Sequence, residues 1–287
     1  MTRRVLAGSR ALVGDPLTAV ASVGLAVFVL LAVFGPSLAP HKPFETLSDA
    51  GGLPLRLKAP GPGHWLGTTT RGHDVLSQMM HGARIAFIVG VMSAVVAGLI
   101  GAAIGLLSGY YGRTVDQVLM RLTDVAFGIP TLPFALIVVG ILGPGVLNTI
   151  AVIAAILWRT QARVIRSQVL TIKERAYIRA ARIAGAGHGR IMLLHIGPNI
   201  LPFLLLYLAL SVAQSVLLEA GLSFLGFSDP RVITWGGMLN AAFEAGAVRT
   251  AWWWVLPPGL ALSVVVVSSF VVVRQFEEAV NPRLRTV

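Results

Sequence analysis

The chain has 287 residues, of which 55% are apolar or aromatic and only 12% are charged, and its mean hydropathy is +0.79. These values exclude a single soluble domain of ordinary composition. The 23 Lys and Arg outnumber the 12 Asp and Glu, giving a net charge of +11. That charge alone fits either a nucleic-acid binder or a membrane protein with basic loops, and the apolar content favours the membrane protein. Cysteine is absent, which excludes disulfides and thiolate chemistry.

Six stretches of the chain are predicted to cross a membrane. A hydrocarbon core of roughly 30 Å needs about 20 mostly apolar residues in a helix, because each backbone amide must find its partner within the segment. The sequence therefore predicts an all-α membrane protein with six transmembrane helices. In chain order these are Leu17–Ala39, Arg84–Gly109, Val118–Leu142, Val146–Leu157 with a continuation toward Arg166, Ile200–Leu225 and Trp253–Val273.

The first predicted span, residues 17–39, follows a basic leader at residues 1–16 and resembles a secretion signal in its position. Its apolar run is long for a signal peptide. The small residues that a peptidase would read are followed directly by Pro40, and proline blocks cleavage at that point. We therefore expect an uncleaved anchor helix.

The distribution of basic residues predicts the orientation, because Lys and Arg are retained on the cytoplasmic side. With the N-terminus inside, 16 of the 23 Lys and Arg fall in inner segments and seven in outer segments. Both termini are therefore predicted to be cytoplasmic. Residues 40–83 then form an external loop ending in a short amphipathic helix, residues 84–275 a five-helix core, and residues 276–287 an inner tail.

Three adjacent tryptophans, Trp252, Trp253 and Trp254, begin the last predicted span at its outer end. Tryptophan is enriched where a span meets the lipid headgroups. The group is therefore interpreted as an interfacial aromatic belt, with a platform for ligand stacking as the alternative.

The predicted inner loop at residues 167–198 is too long for a turn, and eight basic residues lie between Arg159 and Arg190. Its residues from Lys173 to Ala184 favour a helix, which Gly185 is expected to end. One side of this helix is small, formed by Ala180, Ala181 and Ala184, whereas Arg175, Arg179 and Arg182 project elsewhere. Such a helix fits docking into a groove on another protein, and a surface helix that follows the positive-inside rule is the alternative.

This loop resembles the cytoplasmic coupling loop of ATP-binding-cassette (ABC) importer permeases. The pattern of that family is Glu-Ala-Ala, three residues, Gly, nine residues, Ile, any residue, Leu, Pro. The matching positions in this chain are Ala180, Ala181, Gly185 and Pro198. Arg179 stands in the Glu position and His195 in the Ile position, as in the peptide and nickel branch, whereas Gly197 in the Leu position departs from that branch too.

The resemblance covers most of the chain. Three segments are similar to the second permease of dipeptide and oligopeptide importers, and the ending QFEEAVNPRLR is weakly similar to it. These segments are WLGTTTRGHDVLSQMMHGARIAFIVG before span two, RLTDVAFGIPTLPFAL in span three, and LLEAGLSFLGFSDPRVITWGGML at the end of span five.

The resemblance implies a type I ABC importer permease fold in the inner membrane and a set of partners. These are a second homologous permease, two cytoplasmic ATPase subunits or one fused ATPase, an extracytoplasmic substrate-binding protein and a peptide substrate. ATP and Mg²⁺ would bind to the ATPase subunits, and no cofactor to this chain. The residues implied in ATPase coupling are Glu174, Tyr177, Arg179, Ala180, Ala181, Ala184, Gly185 and Pro198.

Two acidic residues, Asp124 and Glu219, lie within or beside predicted spans, where an unpaired charge costs a few kcal/mol. Arg121 lies one helical turn before Asp124, which predicts a local ion pair. Glu219 has no such neighbour in sequence. It is expected to face a partner span, a water-filled cavity or the amino group of a substrate, with Gln214 and Ser215 adding polarity to the same stretch.

Helix packing and a kink are also predicted within the spans. Gly101, Gly105 and Gly109 share one face of span two, at the spacing that lets two membrane helices approach closely. Pro130 and Pro133 interrupt span three and free backbone carbonyls there, which indicates either a kink beside a pathway or ordinary packing irregularity.

No catalytic or metal-binding pattern is found in the sequence. The six histidines are scattered without a paired acid at ligand spacing, and no lysine follows a glycine as a phosphate-binding loop requires. The chain is therefore expected to be a non-catalytic subunit. The alternatives are a permease of the same family for nickel or another small solute, an ion-coupled carrier and an integral membrane enzyme. A carrier ordinarily shows paired repeats or several buried carboxylates, and an enzyme a convergent polar set.

Overall fold

The computed structural model describes residues 16–280. Its helices confirm the predicted all-α class, and no β-strand occurs between these two residues. The predicted leader, apart from Pro16, and the predicted tail from residue 281 onward lie outside the described residues. In chain order the helices are α1 Pro16–Leu38, α2 Val75–Tyr111, α3 Arg113–Gly128, α4 Thr131–Leu142, α5 Val146–Lys173, α6 Ala176–Ile183, α7 His188–Phe224, α8 Trp235–Glu244 and α9 Trp252–Val280.

Four of these described helices, α1, α2, α7 and α9, are long and apolar enough to cross a membrane. The pair α3 and α4 makes a fifth crossing when it is counted as one bent span. Helix α5 is apolar only over its first twelve residues, about 18 Å of helix, and then becomes basic. Because that length falls short of a hydrocarbon core, the count of six crossings stays a prediction.

The predicted third span is bent by 91° between α3 and α4, which favours a kink over ordinary packing irregularity; a pathway beside it stays a prediction. Pro130 directly precedes α4 and cannot donate a backbone hydrogen bond, and Ile129 before it is extended, as a residue preceding proline prefers to be. Pro133 lies in the first turn of α4, where the missing N–H breaks no intrahelical bond.

Helix α2 packs against α5 through the glycine face predicted from the sequence. A Cβ atom at Gly105 would lie 2.5 Å from the carbonyl oxygen of Ala162, and one at Gly101 would lie 2.7 Å from that of Trp158. A Cβ atom at Gly109 would lie 2.7 Å from the Cβ atom of α5 residue Val169. The prediction that these glycines contact another helix is therefore confirmed.

Helix α1 is tied to α2 by Arg84. Because Pro36 has no N–H, the carbonyl of Ala32 four residues earlier lacks its intrahelical donor. The guanidinium group of Arg84 donates to this carbonyl at 3.2 Å and to the carbonyl of Val33 at 2.8 Å. Deeper in the bundle, the ring of Phe28 on α1 packs 5.7 Å from that of Trp235.

The aromatic-belt interpretation is wrong for two of the three adjacent tryptophans. Trp253 and Trp254 are buried in the protein, and only Trp252 is exposed, at 56%. The Trp253 indole donates to the carbonyl of Thr68 at 3.3 Å, and a Cβ atom at Gly67 would lie 2.5 Å from the indole ring. The ring therefore holds the segment before α2 against the start of α9.

We predict that Gly105→Val destabilises the bundle by about 1–3 kcal/mol, because the new side chain must displace the α5 backbone. Gly259→Val in α9 is the matched control, since a Cβ atom there has no neighbour within 4 Å among the described residues. The measurement is thermal unfolding of the two variants in detergent. Equal melting temperatures would contradict the close α2–α5 contact.

Candidate functional site

The short helix α6 lies in the predicted coupling loop, at the end of the bundle where α2 and α5 terminate. Lys173 ends α5 and donates from its Nζ atom to the carbonyl of Gly109 at 2.8 Å. Because Lys173 belongs to α5 and Arg175 has an extended backbone, the predicted helix start at Lys173 is wrong, and α6 begins at Ala176. Gly185 follows the helix with a φ of +79°, which confirms the predicted end.

One side of α6 is anchored in the core by Ile178, which is fully buried. The side chain belongs to an apolar cluster with Tyr110 of α2, Ile172 of α5 and Ile191 of α7. The Tyr110 hydroxyl also forms a 2.8 Å hydrogen bond with Nδ1 of His188. Ile178 therefore anchors α6 in a cluster to which α2, α5 and α7 all contribute.

The other side of α6 is open. Ile183 is 88% exposed and Tyr177 is 41% exposed. Of the remaining residues predicted for coupling, Ala181 is half-buried, and the exposed ones are Glu174, Arg179, Ala180, Ala184, Gly185 and Pro198. We call the exposed surface formed by Tyr177, Ala180, Ile183, Ala184 and Gly185 the α6 face. Exposed basic side chains around it are Arg175, Arg179, Arg182 and Arg190.

Ile183 is the member of the α6 face that was missed in the sequence analysis. It lies three residues after Ala180 and directly before Ala184, so the helical spacing places these three on one side. An apolar residue in that register was the signal that could have identified it.

Pro198 lies on α7 rather than in an exposed loop, so the predicted loop 167–198 is shorter in the structure. Helix α7 begins at His188 and is π-helical over Ile191–Ile196. The Gly197 N–H donates to the carbonyl of Met192, five residues earlier, and a Cβ atom at Gly197 would lie 3.3 Å from that oxygen. This tight spacing favours glycine at the position where the permease pattern has Leu.

The predicted Arg121–Asp124 ion pair is wrong, because Asp124 pairs with Arg163 of α5 at 2.9 Å. The Arg163 guanidinium also lies 4.0 Å from the centre of the Phe127 ring. Both partners of the ion pair are more than half exposed, so the contribution to stability is small.

A second and closer ion pair joins α3 to α5. Arg166 contacts Asp116 through two hydrogen bonds of 2.6 Å, and the Ser108 hydroxyl donates to the same carboxylate. Two parallel bonds between a guanidinium and a carboxylate fix the relative orientation of the two helices.

Glu219 is 2% exposed and lies inside the helix bundle of this chain. The Ser223 hydroxyl donates to its Oε1 atom at 2.6 Å, and Oε2 has no hydrogen-bond partner among the described residues. Ser211, Ser215, Glu219 and Ser223 recur every four residues as a buried polar stripe on α7. Gln214 does not join them, because it lies on the exposed side of α7.

A cleft of about 430 Å³ lies at the opposite end of α2, between the segment before that helix and the residues around α8. His73 lies in its wall, where burial, and secondly the nearby Arg71, lower the pKa of the imidazole. The Gln78 amide donates to the His73 Nδ1 atom at 3.2 Å and to the Pro43 carbonyl at 3.0 Å.

Asp229, another residue of the cleft wall, is held by Arg231. The guanidinium of Arg231 contacts both carboxylate oxygens, at 3.0 and 2.8 Å. These bonds lower the pKa of the Asp229 carboxyl from its usual 3.8 to about 2. The charged carboxylate therefore stabilises the connection between α7 and α8.

We predict that Ile178→Ala lowers the stability of the protein by about 2–5 kcal/mol, because it leaves a cavity beneath α6. Ile183→Ala on the same helix is the matched control and should change stability by less than about 0.5 kcal/mol. Thermal unfolding of the two purified variants checks this. A larger loss for Ile183→Ala would show that α6 is anchored by its other side.

We predict that Asp229→Asn lowers the melting temperature at pH 7, because the variant loses the charged partner of Arg231. A carboxyl with a depressed pKa contributes stability that is present above pH 4 and is lost as the pH falls to about 2. The difference from the unmodified protein should therefore shrink over that range. Glu244→Gln is the control, since its carboxylate has no ion-pair partner in the described part of the chain. A difference that does not change with pH would contradict the assignment.

Comparison with known proteins identifies the family. Residues 101–286 match the family described as binding-protein-dependent transport system inner membrane component. The di/tripeptide transport system permease protein DppC of Pseudomonas aeruginosa is 34% identical over 261 residues, which cover 90% of this chain and 86% of that protein. The dipeptide transport system permease protein DppC of Bacillus subtilis is 32% identical over 269 residues, covering 92% and 82%. The chain therefore belongs to the family of binding-protein-dependent transport system inner membrane components.

Proposed function

We propose that this chain is the permease subunit of an ATP-driven importer for short peptides. Membership of its family makes it a multi-pass protein of the inner membrane. The observation that carries the proposal is the likeness to dipeptide permeases over nine-tenths of the chain. Those names favour a peptide over nickel or another small solute. The chain forms half of the translocation pathway, and a second homologous permease forms the other half.

The α6 face is the proposed contact with the ATPase subunits, whether these are two chains or one fused chain. An almost fully exposed isoleucine beside small residues suits insertion into an apolar groove, and the surrounding arginines suit an acidic rim. The ATPases bind ATP and Mg²⁺, whereas this chain contributes the docking surface and binds no cofactor.

A displacement of α6 would also displace the membrane helices packed around it. Ile178 packs among residues of α2, α5 and α7, and close-packed cores shift as units rather than deform continuously. Closure of the ATPase pair on ATP would then bias the permease between two arrangements, one for each direction of access.

The proposed orientation places α6 in the cytoplasm together with both termini. Four exposed arginines surround α6, as expected for an inner loop. The segment 40–74 and the cleft then face the outside, where the substrate-binding protein would deliver the peptide.

We predict that Gly185→Asp abolishes peptide uptake and ATPase co-purification while membrane insertion persists. Aspartate adds bulk and negative charge to the α6 face, where close docking needs open space. Gly246→Asp after α8 is the matched control, because Gly246 also has a positive φ, of +65°, and open space around its Cβ position. The measurements are uptake by cells and the subunits recovered from mild detergent.

Normal uptake by the Gly185→Asp variant would contradict docking through the α6 face. An equal loss in the Gly246→Asp control would show that backbone strain alone is responsible. Ion-driven transport by vesicles that contain only this polypeptide would favour the carrier alternative instead.

A further inference from the structure

The cleft at the end of the bundle opposite α6 has the size of a small-molecule site. Its volume of about 430 Å³ lies within the usual range of about 300–1,000 Å³ for such sites. Three parts of the chain form it: the segment from Phe44 to Gln78, the segment from Ser228 to Ala245, and Trp254 at the start of α9. Since these parts are distant in sequence, the cleft exists only in the folded bundle.

Two opposite charges in the cleft wall are left without partners. Arg71 and Glu244 both line the cleft, and neither side chain makes a hydrogen bond or an ion pair with any described residue. The other acidic side chain of the wall, Asp229, is neutralised by Arg231. The cleft therefore offers one positive and one negative group to a ligand.

Trp254 contributes a buried aromatic ring to the cleft wall. It is 3% exposed and lines the cleft, and its indole nitrogen has no partner within the described residues. The two other buried tryptophans do not share this feature, because Trp235 donates to the carbonyl of Met79 and Trp253 to that of Thr68. Because this nitrogen has almost no accessible surface, a ligand in the cleft would meet the indole ring and not its N–H group.

The remaining wall is partly apolar. Phe44, Val232, Ile233 and Met238 line the cleft beside the polar residues. Apolar walls with a few polar groups are typical of sites that orient a small ligand and also accommodate its side chains.

We propose that this cleft binds a short peptide with free termini, through its carboxylate at Arg71 and its ammonium group at Glu244. The inference rests on the proposed function, because it assigns to the outer side of the permease a contact with the transported peptide itself.

The test uses the complete transporter in lipid nanodiscs without the external binding protein. Ligand-observed NMR measures the affinity for alanyl-alanine, for its C-terminal amide and for its N-acetyl form. Arg71→Gln should weaken binding of alanyl-alanine about fivefold and leave the affinity of the amide unchanged, as expected for one partly exposed charge pair. Glu244→Gln should weaken the binding of alanyl-alanine to the same extent and leave the affinity for the N-acetyl form unchanged.

Two further variants serve as controls. Arg56→Gln removes an exposed arginine outside the cleft and should not alter any affinity. Trp254→Phe keeps an aromatic ring in the wall and removes only the shielded N–H group, so it should also leave the three affinities unchanged.

Absence of binding, or equal affinity of every variant for the three ligands, would overturn the proposal. A second set of nanodiscs with the external binding protein added measures its association; the proposal would also be overturned if Arg71→Gln and Glu244→Gln changed only that association, since the cleft would then be a protein contact. In either case ATP-driven uptake by the unmodified complex would leave the proposed function intact, whereas loss of that uptake would reject the function separately.

Discussion

The close contact of α2 with α5 holds in place the helix that runs from one end of the molecule to the other. Gly105 allows the α2 backbone to approach the carbonyl of Ala162 more closely than any side chain would permit. Helix α2 continues unbroken for 37 residues, about 55 Å, from the Asp74 cap near the cleft to Tyr110 beside α6. Tyr110 at the end of α2 belongs to the same apolar cluster as Ile178 of α6, and close-packed clusters resist local displacement.

Two arginines supply hydrogen bonds that prolines remove from the bundle. Arg84 donates to the Ala32 carbonyl, four residues before Pro36. In the same way, the Arg159 guanidinium donates to the Ala126 carbonyl, four residues before Pro130, and to the Thr131 hydroxyl at 2.8 Å. Unsatisfied carbonyls are costly in an apolar environment, so each carbonyl that a proline leaves without its donor depends on a distant basic residue. The count of basic residues that predicted the orientation therefore includes residues with a structural role, Arg84 and Arg159 among them.

Short stretches of the sequence predicted those structural features that depend only on neighbouring residues. Long apolar runs identified α1, α2, α7 and α9, and Gly185 identified the end of α6 through its backbone freedom. The ion pair of Asp124 and the burial of Trp253 could not be predicted in this way, because they depend on residues distant in sequence. Asp124 pairs with Arg163 and not with Arg121, because α3 packs on α5. The Trp253 indole lies in the interior, where it donates to the carbonyl of Thr68. The cleft was not predicted, since its wall is assembled from three separate segments.

The rotation of α7 about its own axis is set by its polar side chains, which are unfavourable in contact with lipid. Its buried stripe contains Glu219, and a carboxylate facing hydrocarbon costs a few kcal/mol. The Gln161 amide of α5 donates to the Ser211 hydroxyl at 2.8 Å. This bond holds the first residue of the same stripe toward the interior of the bundle. Apolar side chains such as Leu217 and the amide of Gln214 are then left on the outer side. The polar stripe therefore decides which face of α7 is available to lipid or to a second subunit.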